Sequence, residues 1–498
     1  MTHPVSTRGP AGGGGGARPP SSSGGVGLLA CGVYVPRYRI DRKEIGRHWN
    51  TGGHGTRSVP GADEDAITMA VEAADRALGP DGADGIDAIL LATCSLPYAE
   101  HDSVGTIAQA LRARPDVETA ILGGTPRAGG AGLRQAWDAV AAGRLGRVLV
   151  LASDARRGDP GTDLEGQLGA GAVAFVVGQG EALATFERAG SGGQPLLDRW
   201  RPAGAEGVRG YDPRFARERG HGPAAEAALA ALGAPSPVAD VRHLAVQQPD
   251  DRTAVLMAKA IGVGSERVVD AAAGLGDLGS AGMPLALVGA LERGAVGDHV
   301  LALAYGSGVA DSLLLRIARR PDTTGTLEGL ARDVVPLEYP AFLRQTGALE
   351  PGGEAARAGL PPTSPLLWRE GPDLLGLLAA RCDACGYLNS PPESRRLCVR
   401  CGHRELTRVA RARTGTVHTF GINHYMPPPL ESPLPVIVAD MADGSRYLAL
   451  GTELSPDVLR IGLPVELCLR VLYQERGARV YGYKFREDHG RPPGGGPA

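Results

Sequence analysis

Lysine, aromatic residues and long apolar runs are scarce in this chain of 498 residues. Three of its 52 basic residues are lysines, aromatic residues make up 4%, and the formal net charge is −3. A near-neutral chain without a basic patch argues against binding to nucleic acid. No apolar run reaches the roughly 18–20 residues that a membrane-spanning helix needs, and the N-terminal residues lack the apolar stretch of a secretory signal. We therefore expect a cytoplasmic protein that does not bind membranes.

Glycine and proline, in contrast, are abundant, with 74 and 39 residues. They concentrate at the two ends and in one internal stretch, where too little apolar surface is available for folding. The predicted segments are a disordered tail (1–25), an α/β region (26–345), a linker (346–365), a helix (366–380) that leads into a cysteine-rich ribbon (together 366–405), a strand-rich barrel (406–488) and a second disordered tail (489–498).

The α/β region carries a weak internal duplication. Two buried strands in its first half are matched by two strands at nearly the same separation in its second half, and a helix follows the first strand of each pair. The predicted strands are 88–94, 147–153, 243–248 and 299–305, and the predicted helices are 103–112 and 251–261. Apolar strands that alternate with helices indicate mostly parallel sheets covered by helices. The predicted fold class is therefore α/β, built from two similar halves.

Several strings in this region resemble a known family. Gly32–Arg39, and Ser58–Asp65 at the start of a helix, are similar to the N-terminal part of archaeal and bacterial hydroxymethylglutaryl-CoA synthases. Gly169–Ala174 and Tyr305–Gly308 resemble glycine-rich turns of the thiolase superfamily. The resemblance implies a duplicated αβαβα sandwich, usually dimeric, that binds acyl-CoA thioesters. It also implies that the turn residues Gly169, Gly171, Tyr305, Gly306, Ser307 and Gly308 form the floor of the pocket.

The resemblance further implies a catalytic cysteine, glutamate and histidine, yet all three family positions hold other residues here. The cysteine position, where a helix N-terminus would lower the thiol pKa, is Pro126. The glutamate position is Cys94, and the histidine position is Gln247. Proline cannot attack a thioester, so the sequence predicts either a rebuilt active site or the loss of catalysis.

A rebuilt site would draw on the polar residues of the same loops. Cys94 could serve as a displaced nucleophile, although a free cysteine is more often a small buried core residue. Gln247 could hydrogen-bond a substrate carbonyl. His101, Asp250 and Asp277 are further candidates, but a lone loop histidine is commonly solvated, and either aspartate could equally cap a helix or a loop.

The strongest single signal is a set of four cysteines. Cys382 and Cys385 form one CxxC pair, and Cys398 and Cys401 form a second pair 12 residues later. Four thiolates without an open coordination position describe a closed structural Zn²⁺ site. Iron in a rubredoxin-like site is the alternative.

Five short alternating strands follow the cysteines and predict a small closed barrel. The predicted strands are 415–420, 434–440, 447–451, 465–472 and 479–484. A helix, a ribbon and a barrel in this order resemble the domain known as DUF35, a rubredoxin-like zinc ribbon on an OB-fold. That resemblance implies a module that accompanies thiolase-like proteins and shelters acyl-CoA or an acylated carrier protein.

Two functions remain open from the sequence. The first is an enzyme for acyl transfer or carbon–carbon bond formation in specialised metabolism, acting on a thioester of CoA or of an acyl carrier protein. The second is a non-catalytic dimeric platform that holds a separate active thiolase or ketosynthase.

Overall fold

A computed structural model provides the fold of most of the chain. It describes residues 25–79, 82–247, 250–321, 326–330, 334–349, 364–425, 432–475 and 477–488. The predicted tails (nearly all of 1–25, and 489–498) lie outside these residues, as do 350–363 of the predicted linker and Gln248 and Pro249 of the Gln247–Asp250 string. No helix of the described part is long and apolar enough to cross a membrane.

The strands and helices occur in the following order. The strands up to residue 337 are β1 (Val26–Tyr34), β2 (Tyr38–Asp41), β3 (Thr56–Val59), β4 (Ala88–Ala92), β5 (Glu118–Leu122), β6 (Arg147–Ala155), β7 (Arg157–Gly158), β8 (Ala170–Gln179), β9 (Ala184–Gly193), β10 (Arg199–Trp200), β11 (Gly207–Gly210), β12 (Val241–Val246), β13 (His299–Gly306), β14 (Val309–Ile317) and β15 (Val335–Leu337). The later strands are β16 (Leu378–Cys382), β17 (Leu388–Asn389), β18 (Leu406–Ala410), β19 (Thr414–Asn423), β20 (Leu434–Met441), β21 (Arg446–Leu450), β22 (Pro464–Glu475) and β23 (Ala478–Glu487). The α-helices are α1 (Arg42–Trp49), α2 (Ala66–Leu78), α3 (Ser103–Ala110), α4 (Ala128–Ala141), α5 (Pro213–Phe215), α6 (Gly222–Ala230), α7 (Asp251–Ala260), α8 (Gly282–Arg293), α9 (Thr326–Gly329), α10 (Tyr339–Gln345) and α11 (Ser364–Leu374). A π-helical turn, Ala216–His221, joins α5 to α6.

Nine strands form the main sheet in the order β12-β13-β14-β9-β1-β8-β6-β4-β5. The run β1-β8-β6-β4-β5 of the first half is repeated as β9-β14-β13-β12 in the second half. An isolated parallel bridge between Leu244 and Val268 stands where the fifth strand of the second half would lie. The predicted duplication is therefore confirmed.

The prediction of mostly parallel pairing was wrong, because the sheet is mixed. Only the pairs β4–β5, β4–β6 and β12–β13 are parallel, whereas β8 and β14 run antiparallel to both of their neighbours. The tight turn at Tyr305–Gly308 shows the reason: β14 returns directly beside β13, without the crossover helix that a parallel neighbour needs.

The helices form three layers around the two halves of the sheet. Helices α4 and α8 lie between the halves in one apolar core. Helices α2 and α3 cover the outer face of the first half, and α6 and α7 cover the outer face of the second. This five-layer α/β arrangement agrees with the predicted αβαβα sandwich.

The C-terminal part contains a small ribbon and a five-stranded sheet. The ribbon strands pair in the order β17-β16-β18, and the five strands pair as β21-β20-β19-β22-β23. A bridge between Gly451 and Phe485 joins the two edge strands of the five and closes the sheet. The predicted helix over 366–380 was too long. The structure ends α11 at Leu374 and begins β16 at Leu378, because Leu377 adopts a left-handed backbone conformation (φ +47°) that stops the helix.

Charged residues hold the closed sheet against α2 and the loop before it. The fully buried guanidinium of Arg470 lies 2.6 Å from Glu453, 3.2 Å from Glu64 and 3.6 Å from Glu72. Arg486 also pairs with Glu72, at 2.9 Å. We refer to these five residues as the Arg470 cluster. The division at residues 345, 365 and 405, and the OB-type assignment of the barrel, stay predictions.

Candidate functional site

Asp154, at the end of β6, is the centre of a buried hydrogen-bond cluster. Its Oδ1 accepts from the Cys94 backbone N–H at 2.6 Å and from the hydroxyls of Thr93 and Ser95 at 3.1 and 2.9 Å. Its Oδ2 accepts from the Ser280 N–H at 2.8 Å. We call this set the Asp154 cluster. It fixes the loop that carries Cys94 against the turn that precedes α8.

An ionic chain continues from the Asp154 cluster. The buried guanidinium of Arg156 donates to Asp277 at 2.8 Å, and Arg199 donates to the other oxygen of Asp277 at 2.8 Å. Burial alone would raise the pKa of Asp277, but the two guanidinium groups outweigh it and hold that pKa below its usual value. Asp277 is therefore a paired carboxylate.

Cys94 lies in this region, as the resemblance implied, but in a setting that favours the thiol. Its Sγ is 3.8 Å from the Ser280 hydroxyl. Burial, and then the negative charge of Asp154, raise the pKa of the thiol to about 12. Its role as a displaced nucleophile stays a prediction, and it requires a base that removes the proton.

Gln247 and Asp250 are engaged with the backbone. Oε1 of Gln247 accepts from the Tyr305 N–H at 3.3 Å. Asp250 is the N-cap of α7 and accepts from the Thr253 N–H at 2.7 Å. The capping alternative is therefore what the structure shows for Asp250. His101 is exposed and meets only the edge of the Tyr98 ring, at 5.2 Å, among the ring contacts of the described residues.

Pro126, the predicted position of the family nucleophile, lies beside packed side chains. Pro126 lies just before α4, and a Cβ added to Gly306 would clash with Oγ1 of the neighbouring Thr125. That hydroxyl is buried without a hydrogen-bond partner in the described part of the chain. The pocket-floor prediction for Gly306 stays open, and the space directly above this glycine is taken by Thr125.

The other residues of the predicted pocket-floor turns also lie in tight backbone turns or against neighbouring segments. Gly169 packs against the Leu275 carbonyl, Gly171 against Tyr34 and Leu278, and Ser307 has a left-handed φ of +53°. The Tyr305 hydroxyl accepts from the Gly308 N–H at 3.0 Å and donates to the buried Asp198 at 2.8 Å.

A cavity of about 500 Å³ opens beside these turns. Its lining includes polar residues from four chain segments: Gln167, Asp198, Arg199, His221, Asp250 and Thr253. It is not lined by Cys94, Pro126 or Gln247. The sequence-predicted candidates thus divide between two places, because Asp250 faces the cavity while Cys94 belongs to the Asp154 cluster.

Several residues of this region were missed from the sequence. Asp154, Arg156, Arg199 and His221 all lie within it. A signal existed for Asp154 and Arg156, since charged residues directly after a strongly apolar strand are unusual unless they face a site or a partner. Arg199 and His221 lie in a segment without a clear pattern.

The four predicted cysteine ligands come together in the ribbon. Their sulfur atoms lie within 4.8 Å of one another, with Sγ–Sγ distances of 3.6 Å for Cys382–Cys401 and for Cys385–Cys398. A tetrahedral ion with metal–sulfur distances of about 2.3 Å requires spacings of this size. The donor set therefore fits a metal ion such as Zn²⁺.

The chain is similar in sequence to archaeal enzymes. It is 33% identical to the hydroxymethylglutaryl-CoA synthase of Pyrococcus furiosus over 300 residues, which are 58% of this chain and 85% of that protein. The identity to the Methanocaldococcus jannaschii protein of the same name is 30%, covering 57% of this chain and 86% of that one. A family model described as the C-terminal part of 3-oxoacyl-[acyl-carrier-protein (ACP)] synthase III matches residues 234–317.

Solved structures support the same fold. A crystal structure of HMG-CoA synthase complexed with CoA has a TM-score of 0.59 and 18% identity, and the match covers 68% of this chain and 95% of that one. The 3-oxoacyl-(acyl carrier protein) synthase III of Pseudomonas aeruginosa PAO1 has a TM-score of 0.53 and 21% identity, with 59% and 98% covered. The extent of the sequence match to the archaeal enzymes, together with this fold, shows that the chain belongs to the hydroxymethylglutaryl-CoA synthase family.

Proposed function

We propose that this protein binds an acyl thioester of CoA or of an acyl carrier protein and uses a rebuilt site for acyl transfer or carbon–carbon bond formation. The observation that carries the proposal is the cavity of about 500 Å³ beside the pocket-floor turns. Structural relatives support the substrate class: one is complexed with CoA, and the HMG synthase of the curacin biosynthetic pathway is in complex with an acetyl donor-ACP (TM-score 0.56, 18% identity, 65% of this chain and 88% of that one).

The site must work without the covalent step at the family position. Proline stands at that position, and Cys94, the nearest cysteine in the sequence-predicted site, holds its proton tightly. The buried Arg156–Asp277–Arg199 chain keeps the pocket floor rigid through charge-assisted hydrogen bonds. Specialised metabolism is the setting that we propose for such a modified member of the family.

Binding and intact-mass measurements test this proposal. The wild-type protein is titrated with acetyl-CoA, acetoacetyl-CoA and acetyl carrier protein in a calorimeter, and the same mixtures are weighed by mass spectrometry. We expect binding by at least one donor without a covalent adduct. Absence of binding by every donor would overturn the proposal, while an adduct that disappears in Cys94→Ala would make Cys94 the nucleophile.

A second candidate is the dimeric platform for a separate thiolase or ketosynthase. Pro126 and the packed Thr125 favour it, because they leave the family's catalytic position closed. The edge strand β5 is exposed over Glu118–Ala120 and offers backbone groups to a second copy. Light scattering of the purified protein tests the homodimer, and co-purification with a thiolase encoded beside its gene tests the platform.

For the cysteine cluster we propose a structural Zn²⁺ ion held by Cys382, Cys385, Cys398 and Cys401. Such an ion would tie the two CxxC turns together and stabilise the ribbon. The ribbon and the barrel together would act as a DUF35-type module that shelters the thioester. Metal analysis of the purified protein distinguishes zinc from iron.

A further inference from the structure

Two polar atoms in side chains that line the cavity have no hydrogen-bond partner among the described residues. One is Nε2 of the His221 imidazole, and the other is Oγ1 of Thr253. They come from different segments, the π-helical turn Ala216–His221 and the first turn of α7. Neither belongs to the Asp154 cluster or to the residues that replace the family's catalytic groups.

The His221 ring is held in one orientation by two contacts. It stacks on the ring of Tyr305 with centroids 3.8 Å apart, and its Nδ1 lies 3.1 Å from the carbonyl oxygen of Ala216. A carbonyl oxygen can only accept, so Nδ1 carries the proton and Nε2 keeps its lone pair. Among the described residues, no hydrogen bond to Nε2 is found. An insertion of one residue into a helix, as in this π-turn, often marks a functional position.

The surroundings keep the ring neutral. Burial lowers the pKa of His221, and although the Ala216 carbonyl and the charges of Asp198 and Asp250 oppose this effect, they do not overcome it. Arg199 adds to the lowering. A neutral imidazole with a free Nε2 can accept a proton at neutral pH.

Thr253 supplies the second group. The residue is fully buried, and its Oγ1 has no hydrogen-bond partner in the described part of the chain. A buried hydroxyl without a partner costs stability unless a ligand or a water satisfies it. Because Thr253 lines the cavity and its hydroxyl can donate or accept, a hydroxyl group of a bound ligand is one partner that this position can take.

We propose that His221 is a general base, and Thr253 a binding residue, for an O–H acceptor that attacks the thioester directly in this cavity. The inference rests on the proposed function. Nε2 of His221 takes the proton of the acceptor while its oxygen bonds to the thioester carbonyl carbon. The carbon–sulfur bond then breaks, and the leaving thiolate receives the proton from the imidazolium. The products are an oxygen ester, or a carboxylic acid when water is the acceptor, and a free thiol.

A thiol-release assay tests the role of His221 as the general base. The assay measures the free CoA that forms from acetyl-CoA and acetoacetyl-CoA when water is the acceptor. We expect the full-length wild-type protein to accelerate release. We expect His221→Ala to lower kcat by about 10²–10⁴-fold, the usual contribution of a general base, with KM changed less than about threefold. Added imidazole should restore the rate of His221→Ala in a saturable way, because it can fill the vacated space beside Tyr305. Thr253→Val should lower the rate by about tenfold without rescue by imidazole.

A control variant and the binding measurement distinguish a failure of the His221 assignment from a failure of the proposed function. His54→Ala removes an exposed histidine outside the cavity and should keep the wild-type rate. If the wild type binds none of the three donors titrated above, the proposed function and this inference both fall. If it binds a donor but releases no thiol, or if His221→Ala keeps its rate, only the base is refuted. If His221→Ala folds and loses the rate without rescue by imidazole, His221 has a structural role and the inference is wrong.

Discussion

The sequence predicts the cysteine ribbon far more completely than it predicts the functional site of the α/β region. In the ribbon, all four predicted ligands are present and meet within 4.8 Å. In the α/β region, the sequence predicts that three family positions are replaced, and of the cavity's polar residues named above only Asp250 was a predicted candidate. A metal site made of two CxxC turns is defined by local spacing, whereas an acyl-thioester site is assembled from distant strands. A site defined by local spacing can therefore be predicted from a sequence more reliably than a site assembled from distant strands.

The largest effect should follow from breaking the ribbon. Replacing Cys382 or Cys398 by Ser removes one thiolate, and structural zinc contributes about 10–16 kcal/mol to the folding of small zinc domains. We expect the variant to lose its bound metal and to unfold the ribbon first, which metal analysis and limited proteolysis would show. Cys468→Ala removes a buried cysteine of the barrel and is the matched control. Unchanged metal content in the Ser variants would contradict the four-cysteine site.

The second-largest effect concerns the contact between the barrel and helix α2 of the α/β region. Arg470→Met keeps much of the side-chain volume but leaves Glu64, Glu72 and Glu453 buried without their shared cation. Loss of one partner of a buried ionic cluster costs about 3–5 kcal/mol, measurable as a lower free energy of unfolding in urea. Arg446→Met, in an exposed pair with Asp440, should change it by less than about 1 kcal/mol. Equal effects of the two substitutions would show that the Arg470 cluster does not fix the barrel.

The same cluster predicts a pH dependence. Burial raises the pKa of Glu64 to about 7, against the opposing charge of Arg470. Because the folded pKa lies above the unfolded one, the contribution of Glu64 to stability is complete below about pH 4.5 and is lost as the pH rises through about 7. Glu64→Gln should flatten the stability curve between these values. If the free energy of unfolding, measured in urea, changes with pH as steeply in Glu64→Gln as in the wild type, the assignment is wrong.

The Asp154 cluster should give a moderate effect. Asp154→Asn replaces a carboxylate oxygen by an amide group that cannot accept from all of the Thr93, Cys94, Ser95 and Ser280 donors. Leaving buried donors unsatisfied costs about 1–3 kcal/mol, and the Cys94 loop should become the first segment to exchange its amide protons. Ser95→Ala, which removes one donor and leaves the carboxylate in place, should cost less. Hydrogen exchange followed by mass spectrometry distinguishes the two variants.

Much of the α/β scaffold followed from apolar strands and their spacing, because a strand such as Ala88–Ala92 is buried on both faces and reads as a continuous apolar run. Strand direction did not follow, because β14 was not among the predicted strands and the Tyr305–Gly308 turn was interpreted only as part of a pocket floor, although it joins two antiparallel strands. The cavity also escaped prediction. His221 owes its position to a π-turn, and the fully buried Thr253 lines the cavity because it lies in the first turn of α7. Both depend on packing that no local pattern records.

The smallest expected effect comes from Cys94→Ala. The side chain is partly buried, and its Sγ makes only a 3.8 Å contact with Ser280, so the loss of one sulfur atom should lower the free energy of unfolding by about 1 kcal/mol. With the thiol pKa raised to about 12, little thiolate forms at neutral pH, and the release of CoA should stay within about twofold of the wild-type rate. Alkylation with iodoacetamide at pH 7 should likewise be slow at this position. A large loss of thiol release in Cys94→Ala, with an acyl adduct on the wild type, would instead place the chemistry at the Asp154 cluster and not in the cavity that His221 lines.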